Sequence, residues 1–149
     1  TLSKAWAAAG LRCGTVLAQT SVISLLRRII APYPLASPVV SLACRMLDPE
    51  LLNRQQQMLS AVQDNKERLL SILRKRPFIR EIWPGEANFV LLQTDNPDDL
   101  LSFCATRGII LRGYPADPVL NSCIRISVGS EEDLCALESA LDAWEAQGE

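Results

Sequence analysis

The feature that most constrains this chain is the stretch between Asp48 and Pro77. Asp48-Pro49-Glu50 is a helix-start signature: Asp48 caps, and Pro49 takes the first helical position, where a missing N–H is harmless. Leu51, Met58, Ala61, Val62, Leu69, Ile72 and Leu73 then mark an apolar stripe at helical spacing. The pattern predicts one helix from Pro49 to Arg76. A helix of that length is long for a globular protein, so it is expected to span between two lobes.

The texture differs on its two sides. Before it, small residues dominate 1–14, with glycines at 10 and 14, and this reads as a buried, tightly packed turn. Thr15–Ala18 is a candidate short strand. A helix is predicted from Val22 to Ile30 with Ser21 as cap, stopped by Pro32 and Pro34. The segment from Pro32 to Pro38 is expected to be extended, and a helix from Pro38 to Leu47 follows. After Pro77 the chain reads β-β-α-β-β-α. Strands are predicted at 78–83, 88–94, 109–112 and 123–128. Helices are predicted at 97–106, closed by Gly108, and 131–146, opened by a capping-box-like Ser130 and Asp133.

Composition excludes several chemistries. The chain of 149 residues contains no histidine, so serine triads and histidine metal sites are ruled out for it alone. Five cysteines stand at 13, 44, 104, 123 and 135 with no C-x-x-C pair, so no zinc or redox motif and no disulfide framework is expected, and no metal site. Their simplest role is as small core residues in a reducing, cytoplasmic setting. A net charge of −2 gives no basic field for nucleic acid. The best apolar run, 22–31, is broken by Arg27 and Arg28, so no membrane span is expected.

A few residues could carry chemistry. Lys4 sits beside Ala5 and Ala7–Ala9; compact apolar surroundings would lower its pKa, as a Schiff-base lysine needs. A solvated loop lysine is the plain alternative. Thr1, Ser3 and Arg12, around a glycine-containing turn, suit a phosphate, though a cap and a surface arginine explain them equally. Arg112 and Arg125 end or interrupt apolar strands. A charge there requires a carboxylate or phosphate partner, either bound or supplied by the fold's own Asp or Glu. Tyr33, between two prolines, reads as a contact residue or plain packing, packing being the simpler.

Taken together these residues resemble a known family. Thr1-Leu-Ser-Lys4 followed by Ala9-Gly-Leu-Arg-Cys-Gly14 is similar to the cofactor-lysine motif of fold type I pyridoxal-phosphate aminotransferases. Ile30–Pro38, Gly108–Arg112 and Cys123–Gly129 resemble segments of the histidinol-phosphate aminotransferases, in the same order. Position 6 is Trp where relatives often carry Phe, and Gly113–Pro118 replaces a more polar loop.

The resemblance implies an α/β and α+β architecture: the C-terminal part of a fold type I transferase. Residues 1–31 would be the end of the large cofactor-binding domain, 32–76 an interface segment with linking helices, and 77–149 the small α+β domain. It implies pyridoxal 5'-phosphate as cofactor, anchored by Lys4, which also moves the substrate proton. Arg12 and Ser3, with Thr1, would hold the cofactor phosphate. Arg125 would receive the substrate's acidic group, and Arg112 would join it in phosphate recognition. Tyr33 would be a substrate-binding residue near the interface of a homodimer, since sites in this fold are built from two subunits. The implied reaction is amino transfer between L-histidinol phosphate and 2-oxoglutarate, yielding glutamate, in histidine biosynthesis. Aromatic aminotransferases and amino-acid-phosphate decarboxylases share much of the pattern, and a non-catalytic interaction domain is the reading from another class. In this family the acidic partner of the pyridine nitrogen and the ring-stacking aromatic precede the lysine segment. The 149 residues are therefore expected not to transaminate alone.

Overall fold

The computed structural model describes residues 2–147. The chain divides into two compact units, Thr1–Leu59 and Ser60–Glu149. The division falls inside the long helix that the sequence predicts.

The first unit is helical. It contains α1 (Leu2–Ala5), a 3-10 turn (Ala9–Leu11), α2 (Thr20–Ile29), α3 (Ser37–Arg45) and the start of α4 (Pro49–Arg74). The Ala8 N–H donates to the Leu2 carbonyl at 3.2 Å, folding the 3-10 turn back onto α1. Gln55 of α4 donates to the Ala5 carbonyl at 3.1 Å. Three expectations are corrected here. Thr15–Ala18 forms no strand: Leu17 is 94% exposed and no neighbouring strand pairs with it, and a lone strand has nothing to bond. Helix α2 starts at Thr20, with Gln19 at the cap position and no side-chain cap, so Ser21 lies inside the helix. The Pro32–Pro38 segment is not uniformly extended, because Tyr33 takes a φ of +56°.

The second unit carries the core. Its strands are β1 (Ile79–Trp83), β2 (Phe89–Thr94), β3 (Arg112–Gly113) and β4 (Cys123–Ser127), with α5 (Pro97–Thr106) and α6 (Glu131–Glu145). The order of elements is the one read from the sequence. The sheet order is β1-β2-β4-β3, and every pairing is antiparallel. One face is apolar: Val90 and Leu92 of β2 with Ile124 and Ile126 of β4 are buried. They join Leu69, Ile72 and Leu73 of α4, Leu100 of α5, and Leu134, Leu137 and Leu141 of α6 in one cluster. Alternation along the strands therefore puts Phe89, Leu91, Cys123 and Arg125 on the opposite face. In α4 the apolar stripe is buried only from Leu69 onward; Met58 is exposed.

Local chemistry sets the boundaries. Helix α5 ends in a Schellman motif: Gly108, at φ +77°, donates to the Ala105 carbonyl, and Ile109 donates to that of Cys104, both at 3.0 Å. Helix α6 opens with a full capping box. The Ser130 hydroxyl accepts from the Asp133 N–H, while the Asp133 carboxylate accepts from the Ser130 N–H at 2.8 Å. Gly129 permits this, because a Cβ there would lie 2.6 Å from Asp133 Cβ. Hydrogen bonds from the Ser130 side chain and backbone hold the Asp133 carboxyl below its ordinary pKa.

Strand β3 is shorter than expected, two residues instead of four: Ile109 closes α5, and pairing with β4 begins only at Arg112. Cys104 is in the core and Cys123 is buried on the sheet's other face, but Cys13 is half-buried and Cys44 and Cys135 are exposed, so the expectation that the cysteines are core residues fails for these three. Among the described residues, no helix is long and apolar enough to cross a membrane.

Candidate functional site

The predicted site residues fall in two groups, one in each unit. In the first unit, Lys4 closes α1 and Arg12 follows the 3-10 turn in a left-handed conformation, φ +51°. Both side chains are exposed. The compact apolar surroundings expected around Lys4 are therefore not found. The physical reason is that Ala8 alone is buried among the described residues of this unit, so no apolar wall removes water from the amine. Neither Lys4 nor Arg12 enters an ion pair among the described residues, which leaves a primary amine and a guanidinium available on one short folded segment. Ser3 lies between them and Thr1, on α1. Thr1 itself lies outside the described residues. Tyr33 is 96% exposed, so it does not serve as packing within its unit.

The second unit brings Arg112 and Arg125 together. They stand directly opposite each other across the β3–β4 pair. On β4's other side Arg125 faces Leu91, which in turn faces Trp83. Trp83, Leu91, Arg125 and Arg112 thus form one row across the non-core face of the sheet. Directly opposed residues bring their Cβ atoms to about 5 Å, so two like charges there repel. The competing reading, a structural salt bridge, does not hold: neither arginine is paired with an acid among the described residues. The Arg125 Nε is buried and has no hydrogen-bond partner. Each guanidinium lies instead over an aromatic ring, Arg125 at 5.0 Å from the Phe89 centroid and Arg112 at 5.6 Å from that of Tyr114. Sequence reasoning missed both rings. Tyr114 lies in the loop just past β3, two residues from Arg112, so no strand pattern announced it.

Other arginines contrast with this pair. Arg76, buried, also has an Nε without a partner, but its guanidinium binds Asp142 at 2.5 Å and Glu145 at 3.1 Å, so the contrast lies in the paired charge. Burial opposes its charge, but those two carboxylates outweigh it and hold the guanidinium more firmly protonated. Arg80 binds Asp95 through both carboxylate oxygens. These two line a hollow of 370 Å³ with Leu73, Arg74 and Ile82. Their charge is already neutralised by the fold, so this hollow is a poorer anion acceptor than the cross-strand pair.

Comparison with known proteins places this geometry. Residues 1–141 match the family model "Aminotransferase class I and II". The chain is 39% identical over 141 residues to a histidinol-phosphate aminotransferase of Cronobacter sakazakii, covering 95% of this chain and 39% of that protein. It thus spans about two fifths of the length of the curated relatives it matches. Among solved structures, it superposes on a histidinol-phosphate aminotransferase of Sinorhizobium meliloti in complex with pyridoxal-5'-phosphate. The TM-score is 0.78 at 21% identity, over 100% of this chain and 40% of that one. It also superposes on an L-threonine-O-3-phosphate decarboxylase of Porphyromonas gingivalis, with TM-score 0.77 at 18% identity, over 97% and 45%. At these identities the two structures share its fold, that of fold type I transferases.

Proposed function

The chain belongs to the class I and II aminotransferase family, and from that premise we propose that it is the C-terminal part of an enzyme transferring an amino group between L-histidinol phosphate and 2-oxoglutarate. The identity to histidinol-phosphate aminotransferases over nearly the whole chain supports this reading. The observation that carries it is the unpaired cross-strand arginine pair, Arg112 and Arg125. Two opposed guanidiniums without a carboxylate are unfavourable unless an anion joins them, and a phosphate monoester accepts from both forks at once.

Pyridoxal 5'-phosphate fits the donor set of the first unit. When bound, it withdraws electrons from the substrate's Cα. Lys4 holds the cofactor through its amine and, once released, carries the proton at the substrate's Cα. Arg12 and the Ser3 hydroxyl, with Thr1, bind the cofactor phosphate; Arg12 supplies a rigid fork of donors. Arg125 receives the substrate's acidic group and Arg112 completes its coordination. Tyr33, exposed in its unit, would contact substrate from the interface of a homodimer, and the reaction is placed in the cytoplasm. Residues 1–31, 32–76 and 77–149 serve as large-domain remnant, interface segment and small domain.

The test is borohydride reduction after adding pyridoxal phosphate, followed by peptide mapping. A polypeptide extended to the relatives' length is expected to carry a pyridoxyl group on Lys4, to lose it in Lys4→Ala, and to turn over histidinol phosphate. The 149-residue chain alone is expected to show no turnover. An extended protein that is never labelled at Lys4 refutes the reading and leaves an interaction domain. Labelling with turnover only of aromatic amino acids, or with loss of CO₂, assigns one of the related activities instead.

A further inference from the structure

The arginine pair poses a problem that the proposed reaction does not answer: what holds two like charges in place before an anion arrives. Folds usually hold such groups with carboxylates, as Asp142 and Glu145 hold Arg76 here. Carboxylates are available nearby but are not used. Asp117, in the loop between β3 and β4, spends its Oδ1 accepting from the Val119 and Leu120 N–H groups at 2.9 and 3.0 Å. Glu81 shares the sheet face but sits in the row of Gln93 on β1, with β2 between it and β4.

The rings take the carboxylates' place. Phe89 is diagonal to Arg125 across β2–β4, and Tyr114 lies two residues past Arg112. The loop that carries Tyr114 is tied at both ends: the Tyr114 carbonyl accepts from the Asp117 N–H at 3.0 Å, and the Leu120 carbonyl accepts from the Cys123 N–H at 2.8 Å. Tyr114 is therefore held by an ordered turn.

We infer that Phe89 and Tyr114 are positioning residues for the Arg125 and Arg112 guanidiniums, holding them by their ring faces so that their charge and N–H donors stay free for an oxyanion. The inference rests on the reading of this pair as the receiver of the substrate's acidic group. The physical reason for rings is selectivity. A carboxylate would neutralise the charge and occupy the forked donors, competing directly with the ligand. A ring attracts the cation through its quadrupole but accepts no strong hydrogen bond, so orientation is gained without neutralisation.

The probe is inorganic phosphate, titrated at low salt into the 149-residue chain and its variants, with the Arg125 Nε–H followed by NMR. The parent is expected to bind, and Arg125→Met to lose binding. Phe89→Leu and Tyr114→Leu are each expected to weaken binding about 3- to 10-fold. The ring-keeping Phe89→Tyr and Tyr114→Phe should match the parent. In Phe89→Leu the Arg125 Nε–H resonance should also move, having lost the ring's magnetic shielding, while thermal unfolding reports whether the fold persists. Since Phe89 is half-buried and its variant could unfold, the Tyr114 pair stands as the independent arm. Parent binding with equal affinity in the Leu variants overturns the inference and leaves the anion site intact. A parent that binds no phosphate overturns the anion site itself.

Discussion

Replacing Arg125 by methionine should make the protein more stable and less functional. The structure supplies the terms. Arg125 Nε is buried without an acceptor, which costs about 1–3 kcal/mol. Arg112, directly opposite, adds about 0.2–1 kcal/mol of like-charge repulsion. Against these, the contact with the Phe89 ring contributes about 0.5–1 kcal/mol. Methionine keeps an unbranched stem and removes all three, so the net gain is about 2 kcal/mol. With a urea m-value of about 2 kcal/mol/M, the midpoint should rise by about 1 M. The assay is urea unfolding in low-salt, phosphate-free buffer, repeated with phosphate. At phosphate a hundredfold above its dissociation constant the parent should gain about 2.7 kcal/mol and overtake the variant. General salting effects of phosphate act on both proteins, so the variant supplies the baseline. The reasoning is refuted if Arg125→Met is less stable than the parent without phosphate and both respond to phosphate alike. That result would mean the arginine is satisfied by the fold, and the pair would no longer point to an anion.

Three further outcomes follow from the second unit. Leu92→Ala, in the centre of β2 and 1% exposed, should lower stability by about 2–5 kcal/mol in the same urea assay. Ser130→Ala should cost about 1 kcal/mol through loss of the α6 cap. The pH dependence of that cap has a definite sign: the folded Asp133 carboxyl titrates below its unfolded value, so its contribution is complete above about pH 4 and fades as pH falls further. An acid titration of helicity by circular dichroism should show this step in the parent and a smaller one in Ser130→Ala, which keeps the Ser130 N–H bond to the Asp133 carboxylate. Removing both partners of Arg76, in Asp142→Asn with Glu145→Gln, should destabilise by about 1–3 kcal/mol. That is less than for a fully buried pair, because the Asp142 side chain is 62% exposed.

What the sequence determined by itself was whatever depends on near neighbours along the chain. Helix α4 follows from Asp48-Pro49 and its stripe, the α6 start from Ser130 and Asp133, and the α5 stop from Gly108, because caps and turns are closed by atoms a few residues apart. The alternation of Cys123–Ser127 likewise announced which face Arg125 would occupy. The segment around Lys4 was legible as a motif, though not its exposure: Lys4 lacks a wall because, among the described residues, its unit buries only Ala8, and burial is a property of what packs around a residue. For the same reason Thr15–Ala18 read as a strand but forms none. Only the tertiary structure set Arg112 against Arg125, since residues thirteen apart meet through strand register, which no local pattern specifies. It alone decided that rings rather than carboxylates face them, because which partner reaches a charge depends on the sheet's geometry in space.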